Sequence, residues 1–85
     1  MIEDYRKKID DVDKEIIKLY EKRLNISYDI GKYKIENNIP ILNKEREEEI
    51  IKKNLNEISQ SDKKEYIERF LIFIMDESKR YQSEL

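Results

Sequence analysis

The fold class predicted by the sequence is all-α: three helices per chain, one long and two short, assembled as an intertwined helical homodimer. Composition is the first reason. Charged residues make up 45% and hydrophobic ones 38%, with one glycine, one proline and no tryptophan. Glu, Lys, Ile and Leu dominate, which favours helices and leaves little material for turns or a sandwich. The second reason is an apolar heptad that opens the chain. The third is length. A helix of about 36 residues spans about 54 Å at about 1.5 Å per residue, whereas a compact domain of this size has a radius of gyration of about 12 Å. Two short helices cannot cover such a rod. A second copy can, and a two-fold dimer is the commonest way to supply one.

The first helix is read from Ile2 to about Asn37. One heptad line holds Ile2, Ile9, Ile16, Arg23 and Ile30; the other holds Tyr5, Val12, Leu19, Ile26 and Tyr33. Every member is apolar or tyrosine except Arg23, and a repeat sustained this far is one continuous helix. Gly31 lies inside it at a cost of about 1 kcal/mol relative to alanine, for which a tight helix–helix approach is a sufficient reason. Asn37-Asn38-Ile39-Pro40 stops the helix, since proline cannot continue it. Asn43 is the expected N-cap of the second helix, with Glu45, Glu47, Glu48 and Glu49 near its positive end. That helix carries Ile50, Ile51, Leu55 and Ile58 inward. Ser59-Gln60-Ser61-Asp62 breaks it, and Ser61 or Asp62 is placed to cap the third helix. There Tyr66, Ile67, Phe70, Leu71, Ile74 and Met75 form the expected buried stripe, continued by Ser78, Tyr81 and Gln82.

Size and composition also narrow the function. Eighty-five residues (1–85) leave room for a single domain with one modest core. The formal net charge of −2, with both signs interspersed, argues against a nucleic-acid partner. Lys7–Lys8 and Lys63–Lys64 are short clusters that read as solvated helix faces. With no cysteine and no histidine, thiol nucleophiles, disulfides, Ser-His-Asp triads and ordinary zinc sites are excluded, and no metal is expected. The opening Met1-Ile2-Glu3-Asp4-Tyr5-Arg6 has no signal-peptide core and no segment reaches membrane-span length. A soluble cytoplasmic protein without a membrane partner is expected.

Several polar residues stand where apolar ones belong. Arg23 interrupts the seam, while Arg6, Ser27 and Lys34 flank it at equivalent heptad positions. Ser78 and Gln82 lie one turn apart on the third helix's core stripe, and Arg46 and Glu47 precede Ile50 and Ile51 by one turn. Each has an ordinary explanation. An arginine in a seam can snorkel or fix register; Arg6 and Lys34 can be solvated flank charges. Arg46 and Glu47 can be first-turn helix charges, and Ser78 and Gln82 can mark a frayed end. The alternative is a polar pocket fed by all three helices, because uncompensated burial of such charges is very costly. Arg23 and Lys34 are about 16 Å apart in helix rise, within reach of one small anion by long side chains. Arg6 lies about 42 Å from Lys34 along the same rod. If all three serve one ligand, Arg6 comes from the other subunit, giving two equivalent sites per dimer.

Taken in order, Arg6-x-x-Ile9-x-x-x-Asp13, Arg23, Ile30-Gly31-x-x-Lys34, Pro40, Arg46-Glu47 and Ser78-x-x-x-Gln82 extend over nearly the whole chain. In this set the chain resembles the all-helical (type II) chorismate mutases. The resemblance implies an intertwined dimer that rearranges chorismate to prephenate, towards phenylalanine and tyrosine. It implies that Arg23 and the other subunit's Arg6 bind the two substrate carboxylates, and that Lys34 and Gln82 donate to the ether oxygen. Glu47 would accept from the ring hydroxyl, while Arg46 and Ser78 complete the polar wall. One departure is visible: Asn43 stands where the family often has aspartate, and serves if that position supplies a backbone amide and a helix cap.

The implied chemistry suits the missing residue types, since an intramolecular Claisen-type rearrangement needs no nucleophile, metal or cofactor. Gln82 is neutral, so activity should not require acid. Two rival readings remain at this level: an isochorismate-pyruvate lyase on the same fold, and a non-catalytic helical dimer acting as scaffold or regulator. The full mutase-like set, including Glu47 and Gln82, favours the mutase over the lyase. The chain is too short for a dehydratase or dehydrogenase domain, or for a separate allosteric one.

Overall fold

The computed structural model describes residues 1–85 and contains three α-helices and no strand. Helix α1 runs Ile2–Glu36, α2 Lys44–Asn56 and α3 Lys64–Gln82, with a single 3-10 turn, Ser61–Lys63, before α3. The all-helical expectation, one long helix and two short ones, holds. No helix is long and apolar enough to cross a membrane.

The end of α1 is built by the asparagines. Asn38 takes a left-handed backbone (φ 56°), a conformation asparagine tolerates better than other side-chain-bearing residues. The amide of Ile39 then donates to the Lys34 carbonyl at 2.8 Å and that of Asn38 to the Ile35 carbonyl at 3.3 Å. These nested bonds are a Schellman turn, and they satisfy carbonyls that a helix end leaves open. Asn43 caps α2 as expected, its Oδ1 accepting from the Arg46 amide at 3.0 Å.

Two expectations need correction. Neither Ser61 nor Asp62 caps α3, whose start makes no side-chain cap bond. Both residues are instead wound into the 3-10 turn, where the Lys63 amide donates to the Gln60 carbonyl. Nor is the whole α3 stripe buried. Leu71, Ile74 and Met75 form the core, with Tyr20, Ile50, Ile51 and Ile67 packed against it. Tyr66 and Phe70 stay largely exposed, because one α1 rod is narrower than the stripe laid across it.

Helix α3 docks on the flank of α1 that carries Tyr20, Ser27 and Gly31, and touches the heptad seam at Arg23. Gly31 lies tightly against the end of α3. A Cβ added there would stand 2.8 Å from Leu85 Cδ1 and 2.9 Å from Gln82 Cγ. The seam itself is left open: Ile2, Ile9, Val12 and Leu19 are all more than half exposed. The chain's radius of gyration is 15.8 Å and its long dimension 54 Å. Its accessible surface is 7405 Å², against about 5,400 Å² for a compact monomer of this mass.

Candidate active site

A cleft of about 380 Å³ opens where the second half of α1, the start of α2 and the end of α3 meet. Arg23, Ser27 and Lys34 enter it from α1, Asn43, Arg46 and Glu47 from the start of α2, and Ser78, Lys79 and Gln82 from α3. Seven of the eight residues singled out as candidates therefore share one cleft. Arg6 does not; it is exposed near the far end of α1 and pairs with Glu3 at 2.6 Å.

Arg23 is held by α3. Its Nη1 donates to Ser78 Oγ at 2.6 Å and to the Ile74 carbonyl at 3.3 Å. Ser78 Oγ also lies 3.1 Å from Ser27 Oγ and donates to the Ile74 carbonyl at 2.9 Å. A hydroxyl has one donor and two acceptor sites, so all three are occupied when Ser27 donates to Ser78. Ser78 thus positions Arg23. The guanidinium keeps further N–H groups for a ligand. Burial lowers the Arg23 pKa, Tyr20 raises it and the nearby Arg46 charge lowers it, but a guanidinium starts high enough to stay charged at neutral pH.

Lys34 and Gln82 are each tied down by one bond and left with donors to spare. Lys34 Nζ donates to the Ile41 carbonyl at 2.9 Å, which leaves two ammonium hydrogens. Gln82 is buried, and its Nε2 donates to the Ser27 carbonyl at 2.9 Å, leaving its second amide hydrogen. The close approach at Gly31 is what admits Gln82 to this position. On α2, Arg46 Nη1 lies 2.5 Å from Glu49 Oε1, and Glu47 Oε1 lies 2.8 Å from Lys79 Nζ.

Among the residues that line the cleft, Lys22, Arg23, Lys34, Arg46 and Lys79 are cationic and Glu47 alone is acidic. Such a surplus, on a chain whose net charge is −2, suits a small polyanion. Sequence reasoning missed Lys22, Lys79 and the Ile41 carbonyl. Lys79 sits beside Ser78 and one turn before Gln82, which was signal enough to place it near the site. Nothing in a sequence marks a backbone carbonyl.

Residues 5–83 match the family model described as chorismate mutase type II. The chain belongs to that family. It is also 35% identical, over 82 residues, to the bifunctional chorismate mutase/prephenate dehydratase of Buchnera aphidicola subsp. Acyrthosiphon pisum (strain APS). That alignment covers 95% of this chain and 21% of the relative, so the chain spans about a fifth of the curated protein it matches. No solved structure matches the chain.

Proposed function

We propose that residues 1–85 form a single chorismate mutase domain that converts chorismate to prephenate, a step towards phenylalanine and tyrosine. The observation that carries this is the convergence of Arg23, Lys34, Glu47 and Gln82, from three helices, on one cation-rich cleft. The reaction is intramolecular: a C–O bond of the enolpyruvyl ether breaks as a new C–C bond forms, with no group gained or lost. A site can therefore act by holding the flexible dianion in its reactive chair-like conformer. Negative charge grows on the ether oxygen as the bond breaks. The spare donors of Lys34 and Gln82 meet that charge, and stabilise the transition state more than the ground state. Arg23 takes one substrate carboxylate, Arg46 and Ser78 complete the wall, Asn43 caps α2, and the free oxygen of Glu47 accepts from the ring hydroxyl. No cofactor takes part.

The catalytic unit in this proposal is an intertwined homodimer. Its support is the open heptad seam, with Ile9 and Leu19 each more than 60% exposed, and the position of Arg6. Arg6 lies about 42 Å along α1 from Lys34, too far to serve the same cleft within one chain. A two-fold partner laid antiparallel on the seam brings its own Arg6 to the second carboxylate and makes two equivalent sites. A cytoplasmic location is part of the same proposal.

The direct test follows the loss of chorismate absorbance with purified protein, with product analysis on chorismate and isochorismate. Acceleration over the spontaneous rate, with prephenate as product, is expected. Spontaneous-rate decay overturns the mutase reading, and pyruvate release from isochorismate alone replaces it with the lyase. Mixing Arg6→Ala and Lys34→Ala subunits tests the shared site. Each heterodimer keeps one intact site, so activity should return on subunit exchange; exchange without recovery rules the arrangement out.

A further inference from the structure

Lys79 has no part in the mechanism above, yet it forms part of the cleft wall. Its Nζ stands 2.8 Å from Glu47 Oε1 and 3.3 Å from Asp76 Oδ1. Every other ion pair in the chain joins residues no more than four positions apart; Lys79–Glu47 is the one that joins two helices. Helix α2 has no buried residue, and only half-buried side chains such as Ile50 and Ile51 pack it on the core. The placement of its first turn therefore depends on few contacts, and this pair, in the cleft wall, is one of them.

Carboxylate chemistry gives the pair a further meaning. Glu47 has two acceptor oxygens. Lys79 engages Oε1, which leaves Oε2 for one hydroxyl donor. A carboxylate with both oxygens free can rotate and offer either; one pinned at Oε1 presents the other in a fixed direction. The contact with Glu47 is also the first cause of the raised Lys79 pKa, with burial opposing it and Asp76 adding to it. Lys79 is thus a cation throughout the neutral range.

We propose that Lys79 is a positioning and specificity-determining residue, which pins Glu47 across the α2–α3 junction so that its free oxygen reads the ring hydroxyl of the substrate. This rests on the mutase reading. It adds that discrimination for a hydroxylated ring is set by a residue that does not touch the substrate's reacting atoms.

The test measures kcat/KM for wild type, Lys79→Met and Lys79→Arg on chorismate and on its analogue lacking the ring hydroxyl. Lys79→Met should lose about tenfold more on chorismate than on the analogue, the low end for a hydrogen bond to a charged group. The loss should fall on KM, because the hydroxyl contact is the same in ground and transition states. Lys79→Arg should recover most of it, and Lys79→Met should cost nothing further in a Glu47→Gln background. Equal losses on both substrates would show a general docking role and overturn the proposal; so would no loss on either. If Lys79→Met does not fold, Lys79→Gln is read by the same criteria. Wild type inactive on chorismate removes the mutase reading and this inference together, whereas active wild type with equal losses removes only the inference.

Discussion

Gln82 reaches the cleft because residue 31 has no side chain. A Cβ at Gly31 would meet Gln82 Cγ at 2.9 Å, well inside ordinary contact distance. Gly31→Ala should gain about 1 kcal/mol of helix propensity and lose about 1–3 kcal/mol to overpacking. We expect a folded protein with a lowered kcat, up to the about 10²–10³-fold cost of a missing oxyanion donor, read by circular dichroism and kinetics together. The neutrality of Gln82 makes a second prediction. With Gln82→Glu, a donor exists only when the carboxyl is protonated, so kcat/KM should climb as pH falls towards the ordinary glutamate range near about 4.3. Wild type should show no such climb, and a shared acid limb would remove Gln82 from its role. Residues of this kind were legible in the sequence because they are polar at positions where helical periodicity calls for apolar ones. Arg23, Ser78 and Gln82 all stood out that way. Lys79 did not, since its partner Glu47 is 32 positions away and is fixed by how two helices dock, which periodicity does not encode.

Among the elements, α2 depends most on its ends. Its cap bond from the Arg46 amide to Asn43 Oδ1 is worth about 1 kcal/mol, and the same turn carries Arg46 and Glu47. Asn43→Ala should therefore lower the unfolding free energy by that amount, read from denaturation curves, and weaken substrate binding. Asn43→Asp should retain both properties, because aspartate caps equally well. Binding lost in Asn43→Ala without loss of stability would point to a direct ligand contact. Helix extents and the Asn43 cap could be read in advance because proline, asparagine and the heptad act locally. The start of α3 could not: Ser61 and Asp62 have cap chemistry, but the chain winds them into a 3-10 turn. Exposure of Tyr66 and Phe70 was equally hidden, being a property of how much of α3 a single neighbouring rod can cover.

At the scale of the molecule, the core of three buried apolar residues is small beside the uncovered seam. In the proposed dimer, folding and association are then nearly one process, and the melting temperature should rise with protein concentration. Val12→Glu puts a charge in the middle of the seam. Its expected result is a monomer by analytical ultracentrifugation, less helical and without mutase activity. A Val12→Glu protein that stays dimeric would mean that the subunits meet on some other face. Composition and heptad length made the all-α rod legible at this scale, and the surface area in excess of a compact monomer agrees with them.

The connection 37–43 leads from the Schellman turn through Pro40 to the α2 cap, and the Lys34 ammonium is moored to the Ile41 carbonyl within it. Surface loops ordinarily absorb length changes at little cost. This one doubles as a measuring strip: it fixes how far a charged nitrogen extends into the cleft. Adding or deleting one residue between Asn38 and Asn43 would leave every helix intact and still move that nitrogen. Natural or designed length variants here should remain well folded while their rate constants scatter widely.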